Sequence, residues 1–440
     1  MVDVREEEIG MALHVEADRF FGQRRPPSSI IPSDFSRSVR TIEGFPPDST
    51  HHHSELIKLH LTSAGAGQAF LVAQATWGAD AAAATRAAYD EIARVLQDQG
   101  LSMVHERLFG SLNVKAEVIS ARNASFRACG FPADGPLTYI QGTPPWGEGF
   151  AGVIIQAVSG DAVWTIEDEG KKVGTGWRRG DTTFLVLQNL QGLTQNGNGA
   201  NGPTLQTKRL IQRAAHLLEA EGTSYRDVVR TWFYLSDILA WYPEFNRART
   251  GIYEKFGILP GQDYGRLRLP ASTGIRGEVP GGAVAAMDLL AVAGPAKSRP
   301  LVRQLSNKGQ QDAFRYGSAF SRGALIRQSD LAMIQVSGTA AIDEQGRSLY
   351  PGDVRGQIDC TFDKVAALIG QEGASLQDIA AACIFVKRPE DALIYQERAR
   401  ALGIDFYLPA VVMVADICRP ELLFEIDAEV VFEPSRRGHE

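Results

Sequence analysis

A helix that ends at glycine, with a strand close behind it, occurs three times in this 440-residue chain. This repeat is the strongest constraint on the fold. The three copies are EIARVLQDQG (91–100), LIQRAAHLLEAEG (210–222) and FDKVAALIGQEG (362–373). Glycine suits the left-handed position that follows a helix, and the strands behind it are rich in β-branched and aromatic residues. The sequence therefore predicts three related units rather than one large domain.

Other predicted elements recur in the same order around each copy. Strands precede the first helices at 69–77, 182–190 and 332–340, and the closing strand pairs lie at 138–158, 269–292 and 408–431. Second helices are predicted in the later two units, at 241–257 and 389–403. The order ββαβαββ predicts an α+β fold with helices on one face of each sheet. We expect an irregular leader at 1–54, a degenerate first unit at 55–160, a second unit at 161–293 and a third unit at 294–440.

Charge and composition exclude several partners. The net charge is −7 and no dense block of Lys and Arg occurs, so we expect no nucleic acid partner. No apolar run approaches the roughly 18 residues that a membrane span needs. The N-terminus lacks an apolar signal segment, and the four cysteines are far apart, so we expect a cytoplasmic protein without disulfides. Adjacent histidines at 51–53, with His60, cannot all face one ion, so we expect no metal site.

The closing strand of the third unit alternates between apolar residues and acids. Glu425, Asp427 and Glu429 share one face of FEIDAEV (424–430). A solvated strand face would explain this pattern without any chemistry.

Comparison of the three closing strands singles out one acid. Our alignment places Ile154 and Ala286 at the position of Glu425, whereas Gln156 and Asp288 match Asp427. Only the third unit carries an acid at the first of these positions, so Glu425 is the candidate for catalysis.

Four separated motifs in the second and third units resemble those of the chorismatase family, which is built on the Rid (YjgF) fold. They are RTWFYLSDILAWYPEFNRART (230–250), AFRYGSAFSRG (313–323), VSGTAAI (336–342) and ADICRPELLFEI (415–426). Rid proteins form homotrimers with small-molecule pockets in the clefts between subunits. The resemblance therefore implies a monomeric, single-chain pseudo-trimer with a pocket lined mainly by the third unit.

The resemblance also implies an activity. Chorismatases remove pyruvate from chorismate without a cofactor, and a glutamic acid on this strand protonates the enolpyruvyl methylene. Glu425 occupies that place, and a nearby acid, Glu421, Asp427 or Glu429, could raise its pKa so that the protonated form persists.

Two positions of the family bear on the product. Members with Cys at the place of Cys418 resemble 3-hydroxybenzoate synthases, whereas members with a small inert residue hydrolyse chorismate to a dihydroxycyclohexadiene carboxylate. Cys418 favours 3-hydroxybenzoate, but Ala340 resembles the hydrolysing type. A free cysteine is also common as a small buried hydrophobe.

Further residues are candidates for substrate binding. Tyr316 and Arg322 match the family's carboxylate contacts, and a guanidinium binds carboxylates bidentately. Arg247 is a further candidate, with Arg249, Arg266 and Arg268 as weaker ones. Rid imine deaminases carry an Arg just after the closing Pro, where this chain has Ala410 and Ala271, so imine hydrolysis is disfavoured.

Two alternatives remain open on the sequence. One is an enzyme that acts on an aminated chorismate derivative. The other is a non-catalytic protein that binds an aromatic metabolite, since two of the three units lack the acid.

Overall fold

Three six-stranded sheets of identical strand order account for the sequence repeats in the computed structural model. The structure describes residues 49–64, 67–160, 162–193, 202–260, 269–278, 281–295, 301–328, 331–404 and 408–433. In each sheet the edge strand that follows the second helix pairs in parallel with its neighbour, and every other pairing is antiparallel.

The first sheet has the strand order β1-β2-β3-β6-β4-β5. Its strands are β1 (Ser49–His53), β2 (Ile57–Ala64), β3 (Gln68–Ala75), β4 (Ser102–Gly110), β5 (Thr138–Gln141) and β6 (Phe150–Val158). Its helices are α1 (Ala81–Asp98) and α2 (Lys115–Ala128).

The second sheet has the order β7-β8-β9-β12-β10-β11. Its strands are β7 (Ala162–Asp168), β8 (Lys171–Arg179), β9 (Thr182–Gln191), β10 (Val228–Leu235), β11 (Ala271–Arg276) and β12 (Ala285–Ala293). Its helices are α3 (Pro203–Ala220) and α4 (Ile238–Lys255).

The third sheet has the order β13-β14-β15-β18-β16-β17. Its strands are β13 (Leu301–Leu305), β14 (Gly323–Arg327), β15 (Ala332–Ala340), β16 (Ile379–Val386), β17 (Ala410–Val414) and β18 (Phe424–Phe432). Its helices are α5 (Val354–Gly370) and α6 (Asp391–Ala401).

The predicted fold class, three α+β units in one chain, is confirmed, and two details differ from the prediction. Each sheet has one more strand at its edge than the predicted order: β1, β7 or β13. The first unit also has a second helix, α2, which we did not predict. Its sequence, KAEVISARNASFRA, carries several polar residues that are weak helix formers, so its apolar periodicity is faint.

Each sheet buries one face against its own helices and the other face in a core common to all three sheets. The helix-side cores are separate, one for each unit. The common core takes side chains from every sheet, among them Phe70, Trp177, Trp232 and Phe385. A sheet that is apolar on both faces needs a partner on each side, and here the other two units supply it.

Three backbone hydrogen bonds close the ring of units. Gln141 of the first unit donates to Glu278 of the second at 3.2 Å, and Arg276 of the second donates to Asp416 of the third at 3.0 Å. Val414 of the third unit donates to Thr143 of the first at 2.8 Å. Because each unit donates to the next in turn, the chain has the cyclic order of a trimer.

The predicted domain boundaries remain predictions, because all described residues belong to one compact unit that spans residues 40–440. Most of the predicted leader, together with Arg266 and Arg268, lies outside the described residues. No helix among the described residues is long and apolar enough to cross a membrane.

Candidate active site

A cavity of about 940 Å³ lies at the interface between the second and third units. Helix α4 and strand β11 form one wall, and the other comes from β15, β18 and the loops that precede β14 and β18. We expected the third unit to supply most of the lining, and this was wrong, because the two units contribute about equally. A cleft between packed units needs a wall from each of them.

Glu425 lies at the start of β18 with its side chain in this cavity. The residue is only 4% exposed. Burial, together with the nearby charge of Asp427, raises the pKa of its carboxyl to about 8, against the opposing charges of Arg230 and Arg322. Glu425 is therefore a carboxylic acid that keeps its proton at neutral pH.

Gly338 provides the space that the Glu425 carboxyl occupies. A Cβ atom at this position would lie 2.3 Å from Oε1 of Glu425. The pairing of β15 with β18 is irregular here, since its register shifts between Val336 and Thr339. A glycine inside a predicted strand is the sequence signal for such a bulge or close approach, and it could have revealed Gly338.

Cys418 lines the same cavity from the loop before β18. Burial raises the pKa of its thiol to about 12, and the proximity of Glu425 contributes to the rise. The thiol is thus neutral at physiological pH. It can act through its size and as a weak hydrogen-bond donor, but not as a thiolate.

Arg322 and Tyr316 lie together in the cavity, as the sequence predicted. The Nη2 atom of Arg322 donates to the Tyr316 hydroxyl at 2.7 Å, and Nε donates to the carbonyl of Gln311 at 3.0 Å. Arg322 is 2% exposed, and it has no salt bridge to a carboxylate among the described residues. A buried cation of this kind favours an anionic ligand.

Arg249 is a second buried cation, and it reaches the cavity from the opposite wall. Its Nη2 donates to Oδ1 of Asn246 at 2.7 Å, and its Nη1 donates to Oγ of Ser272 at 3.4 Å. Its Nε is buried without a hydrogen-bond partner, and within the described part of the chain it has no salt bridge. Tyr242, Asn246 and Arg249 are spaced to share one face of α4, and all three line the cavity.

The structure distinguishes the two arginines of this helix that the sequence suggested, Arg247 and Arg249. Arg247 reaches only the rim of the cavity, where its side chain is 69% exposed and pairs with Glu244 at 2.7 Å. The helix periodicity could have distinguished the two arginines, because Arg249 lies on the buried side of the helix with Phe245 and Ile252.

Of two further candidates for substrate binding, Ala340 lines the cavity and Glu421 does not. Ala340 lines the cavity, and in the sheet it pairs with Glu425. Glu421 does not line it: its Oε1 accepts a hydrogen bond from Ser348 at 2.7 Å, away from the site. The reason is the turn after Pro420, which directs Glu421 away from the face that carries Glu425.

The strand registers correct one of the sequence alignments. Glu425 faces Phe385 and Ala286 faces Tyr234, as aligned, but the corresponding residue of β6 is Gly152, which faces Phe109. Ile154 instead matches Asp427. The conclusion about Glu425 is unchanged, because both equivalents lack an acid.

Metal ligands are not grouped in the part of the chain that the structure describes. No cluster of three or more His, Cys, Asp or Glu side chains there could hold an ion. The buried charged or acidic groups that line the cavity are instead one carboxyl, Glu425, and two guanidiniums, Arg249 and Arg322.

Three comparisons relate this chain to known proteins in sequence and in fold. The family model described as Endoribonuclease L-PSP matches residues 311–432, which is the third unit. A protein of Streptomyces hygroscopicus described as a chorismatase is 26% identical over 287 residues, which are 60% of this chain and 76% of that protein. A chorismatase crystal structure at 1.08 Å resolution shares the fold, with a TM-score of 0.54 and 21% identity over 75% of this chain and 93% of that one.

The sequence likeness extends well beyond the third unit, and the shared fold covers nearly all of the known structure. This chain is therefore similar in sequence to a chorismatase and shares the chorismatase fold, and its third unit matches the Endoribonuclease L-PSP family model.

Proposed function

We propose that this protein cleaves the enolpyruvyl ether of chorismate and releases pyruvate, with Glu425 as the acid. One observation carries the proposal: a buried carboxylic acid shares a cavity with two buried guanidiniums, Arg249 and Arg322, that have no carboxylate partner among the described residues. The likeness to a protein described as a chorismatase supports chorismate as the substrate.

The two arginines match the two carboxylates of chorismate. Arg322 is close enough to Glu425 for its charge to oppose the rise in that acid's pKa, so it is suited to the enolpyruvyl carboxylate. Arg249 lies on the other wall, in reach of the ring carboxylate. Each would form charge-assisted hydrogen bonds with the substrate.

Glu425 is in the right form to begin the reaction. It transfers its proton to the terminal methylene of the enol ether, which becomes a methyl group, and the ether carbon becomes an oxocarbenium ion. The carboxylate that remains stabilises this cation, and the low exposure of the site strengthens the interaction.

The fate of that cation decides the product. Internal attack by the ring hydroxyl followed by aromatisation gives 3-hydroxybenzoate and pyruvate without consuming water. Attack by water gives a dihydroxycyclohexadiene carboxylate and pyruvate. We favour the first outcome because Cys418 occupies the cavity wall beside Glu425, and Ala340 on the opposite strand supports the second as the alternative.

Product analysis tests the proposal. Purified protein is incubated with chorismate and the products are separated by chromatography, and we expect pyruvate with 3-hydroxybenzoate as the main aromatic product. Chorismate that binds without turnover would contradict catalysis and support a metabolite-binding protein. Turnover of an aminated chorismate derivative in place of chorismate would contradict the assigned substrate.

Cys418→Ala tests the role of the thiol. The substitution removes the sulfur but leaves the acid and both arginines, so we expect turnover within about tenfold of wild type and a shift toward the diene diol. The ratio of the two products is measured by chromatography. An unchanged ratio would remove Cys418 from the mechanism.

A further inference from the structure

Asp427 belongs to a buried polar cluster that joins the second and third units. Its Oδ2 accepts a hydrogen bond from Oγ1 of Thr273 at 2.8 Å and lies 3.3 Å from Nη2 of Arg230. Arg230 also donates to Thr273 at 2.7 Å. These three residues, the Asp427 cluster, are all at most 2% exposed.

An equivalent cluster joins the first and second units. Asp288 accepts a hydrogen bond from Thr138 at 2.7 Å, and its other oxygen lies 3.0 Å from Nε2 of His105. The strand registers make these three residues, the Asp288 cluster, the counterparts of Asp427, Thr273 and Arg230. The acid, the threonine and the base therefore recur as a set.

At the interface between the third and first units, all three members of the set are apolar. The registers place Ile154 at the position of the acid, Val411 at that of the threonine and Ala381 at that of the base. All three are buried. The acid, the threonine and the base are therefore present together at two interfaces and replaced together at the other one.

The Asp427 cluster differs from its counterpart in what lies beside it. Residues two apart on a strand share a face at ~6.7 Å, so Asp427 lies beside Glu425, whereas Asp288 lies beside Ala286. The groups that act electrostatically on Glu425 are Asp427 on its own strand, Arg230 on β10 and Arg322 before β14, and the Cys418 thiol is coupled to it. Arg249 on α4 and Arg419 before β18 line the same cavity. Of the charged groups, Asp427 opposes ionisation of Glu425, and Arg230 and Arg322 favour it.

We propose, building on the function above, that Asp427 is a positioning residue which, held by Thr273 and Arg230 of the second unit, keeps Glu425 in its proton-bearing form. The third unit thus supplies the acid, and the second unit fixes the charge that keeps it protonated. Catalysis then depends on the contact between the two units as well as on the residues that touch substrate.

The test compares Asp427→Asn with the matched control Asp288→Asn. Infrared spectra of the full-length protein without substrate are recorded as a function of pH, and the protonated carboxyl band of Glu425 is identified by its loss in Glu425→Gln. Removal of the Asp427 charge should move the titration of this band down by about 1–2 pH units. The same substitution at Asp288 should leave it in place.

A double variant provides a second test in case Asp427→Asn alone does not fold. Asp427→Asn combined with Arg230→Gln removes both charges, which avoids a buried charge without its partner. The titration should still move down, but by less, because Asp427 affects Glu425 more strongly than Arg230 does. Titrations that coincide with wild type in the folded variants would overturn the proposal.

The spectroscopic readout separates this inference from the proposed function. A band that moves in Asp427→Asn, in a protein that never releases pyruvate from chorismate, would support the inference and refute the function. Pyruvate release that depends on Glu425, with a carboxyl band that does not move in Asp427→Asn, would support the proposed function and refute the inference about Asp427.

Discussion

The interface between the second and third units and the interface between the first and second are built from equivalent strands, yet they differ in chemistry. Both contain an acid, a threonine and a base in the same register. Only the former has an acid two residues before its Asp, since Glu425 corresponds to Ala286. One residue on a shared framework thus separates a packed interface from a candidate active site.

The interface between the third and first units shows how such a site is lost. A Cβ atom at Gly152, the counterpart of Glu425, would lie 2.8 Å from Cγ2 of Val411 and 2.5 Å from the carbonyl oxygen of Ala73. No side chain fits there. An acid therefore needs more than the right strand position: it also needs a neighbour such as Gly338 that leaves room for it.

Removal of the Glu425 acid, which distinguishes the interface between the second and third units, should have the largest effect on activity. Glu425→Gln keeps the shape of the side chain but cannot donate the proton, so we expect kcat to fall by about 10²–10⁴-fold. Pyruvate release measures the effect. Glu421→Gln is the matched control, because Glu421 lies outside the cavity, and its kcat should stay within about twofold of wild type. Equal losses in both variants would contradict the assignment of the acid.

Loss of a buried guanidinium should have the next largest effect. In Arg249→Gln a substrate carboxylate loses a charge-assisted contact worth about 2–3 kcal/mol, so we expect kcat/KM to fall by about 30–160-fold. Arg247→Gln, two residues away on the exposed side of α4, should change it by less than threefold. Steady-state kinetics with chorismate compares the two variants, and a larger loss in Arg247→Gln would contradict Arg249 as the carboxylate contact.

Filling the space beside the acid should have a smaller effect. Gly338→Ala would place a methyl group against Oε1 of Glu425, whereas in Gly274→Ala the nearest atom, on Tyr242, is 3.5 Å away. We expect kcat to fall by about tenfold in the first variant, because the acid must move, and to change little in the second. Similar kinetics in the two variants would show that the position of the Glu425 carboxyl tolerates displacement.

The sequence was sufficient for the features that depend on local pattern. The glycine-terminated helices predicted the three units, and the contrast of Glu425 with Ala286 singled out Glu425 as the candidate acid. The four motifs suggested Tyr316, Arg322 and Cys418 as site residues, and all three line the cavity. These signals are carried by the spacing and identity of single residues.

Features that depend on three-dimensional packing could not be predicted in the same way. Arg249 and Ser272 reach the cavity from another unit, and no short-range pattern says which cleft they face. The register error at Gly152 arose because bulges shift strand pairing by a residue or two, and they differ among the three sheets. The cluster around Asp427 likewise became visible only when the units were seen in contact.

The pH dependence of pyruvate release tests the central claim most directly. Glu425 must carry its proton to act, and its pKa is raised to about 8 in the folded protein, so the active form predominates below that pH and disappears above it. We predict that kcat/KM for chorismate is flat from about pH 6 to 7.5 and falls about tenfold per pH unit above about 8. A kcat/KM that rises through this range would contradict Glu425 as the proton donor.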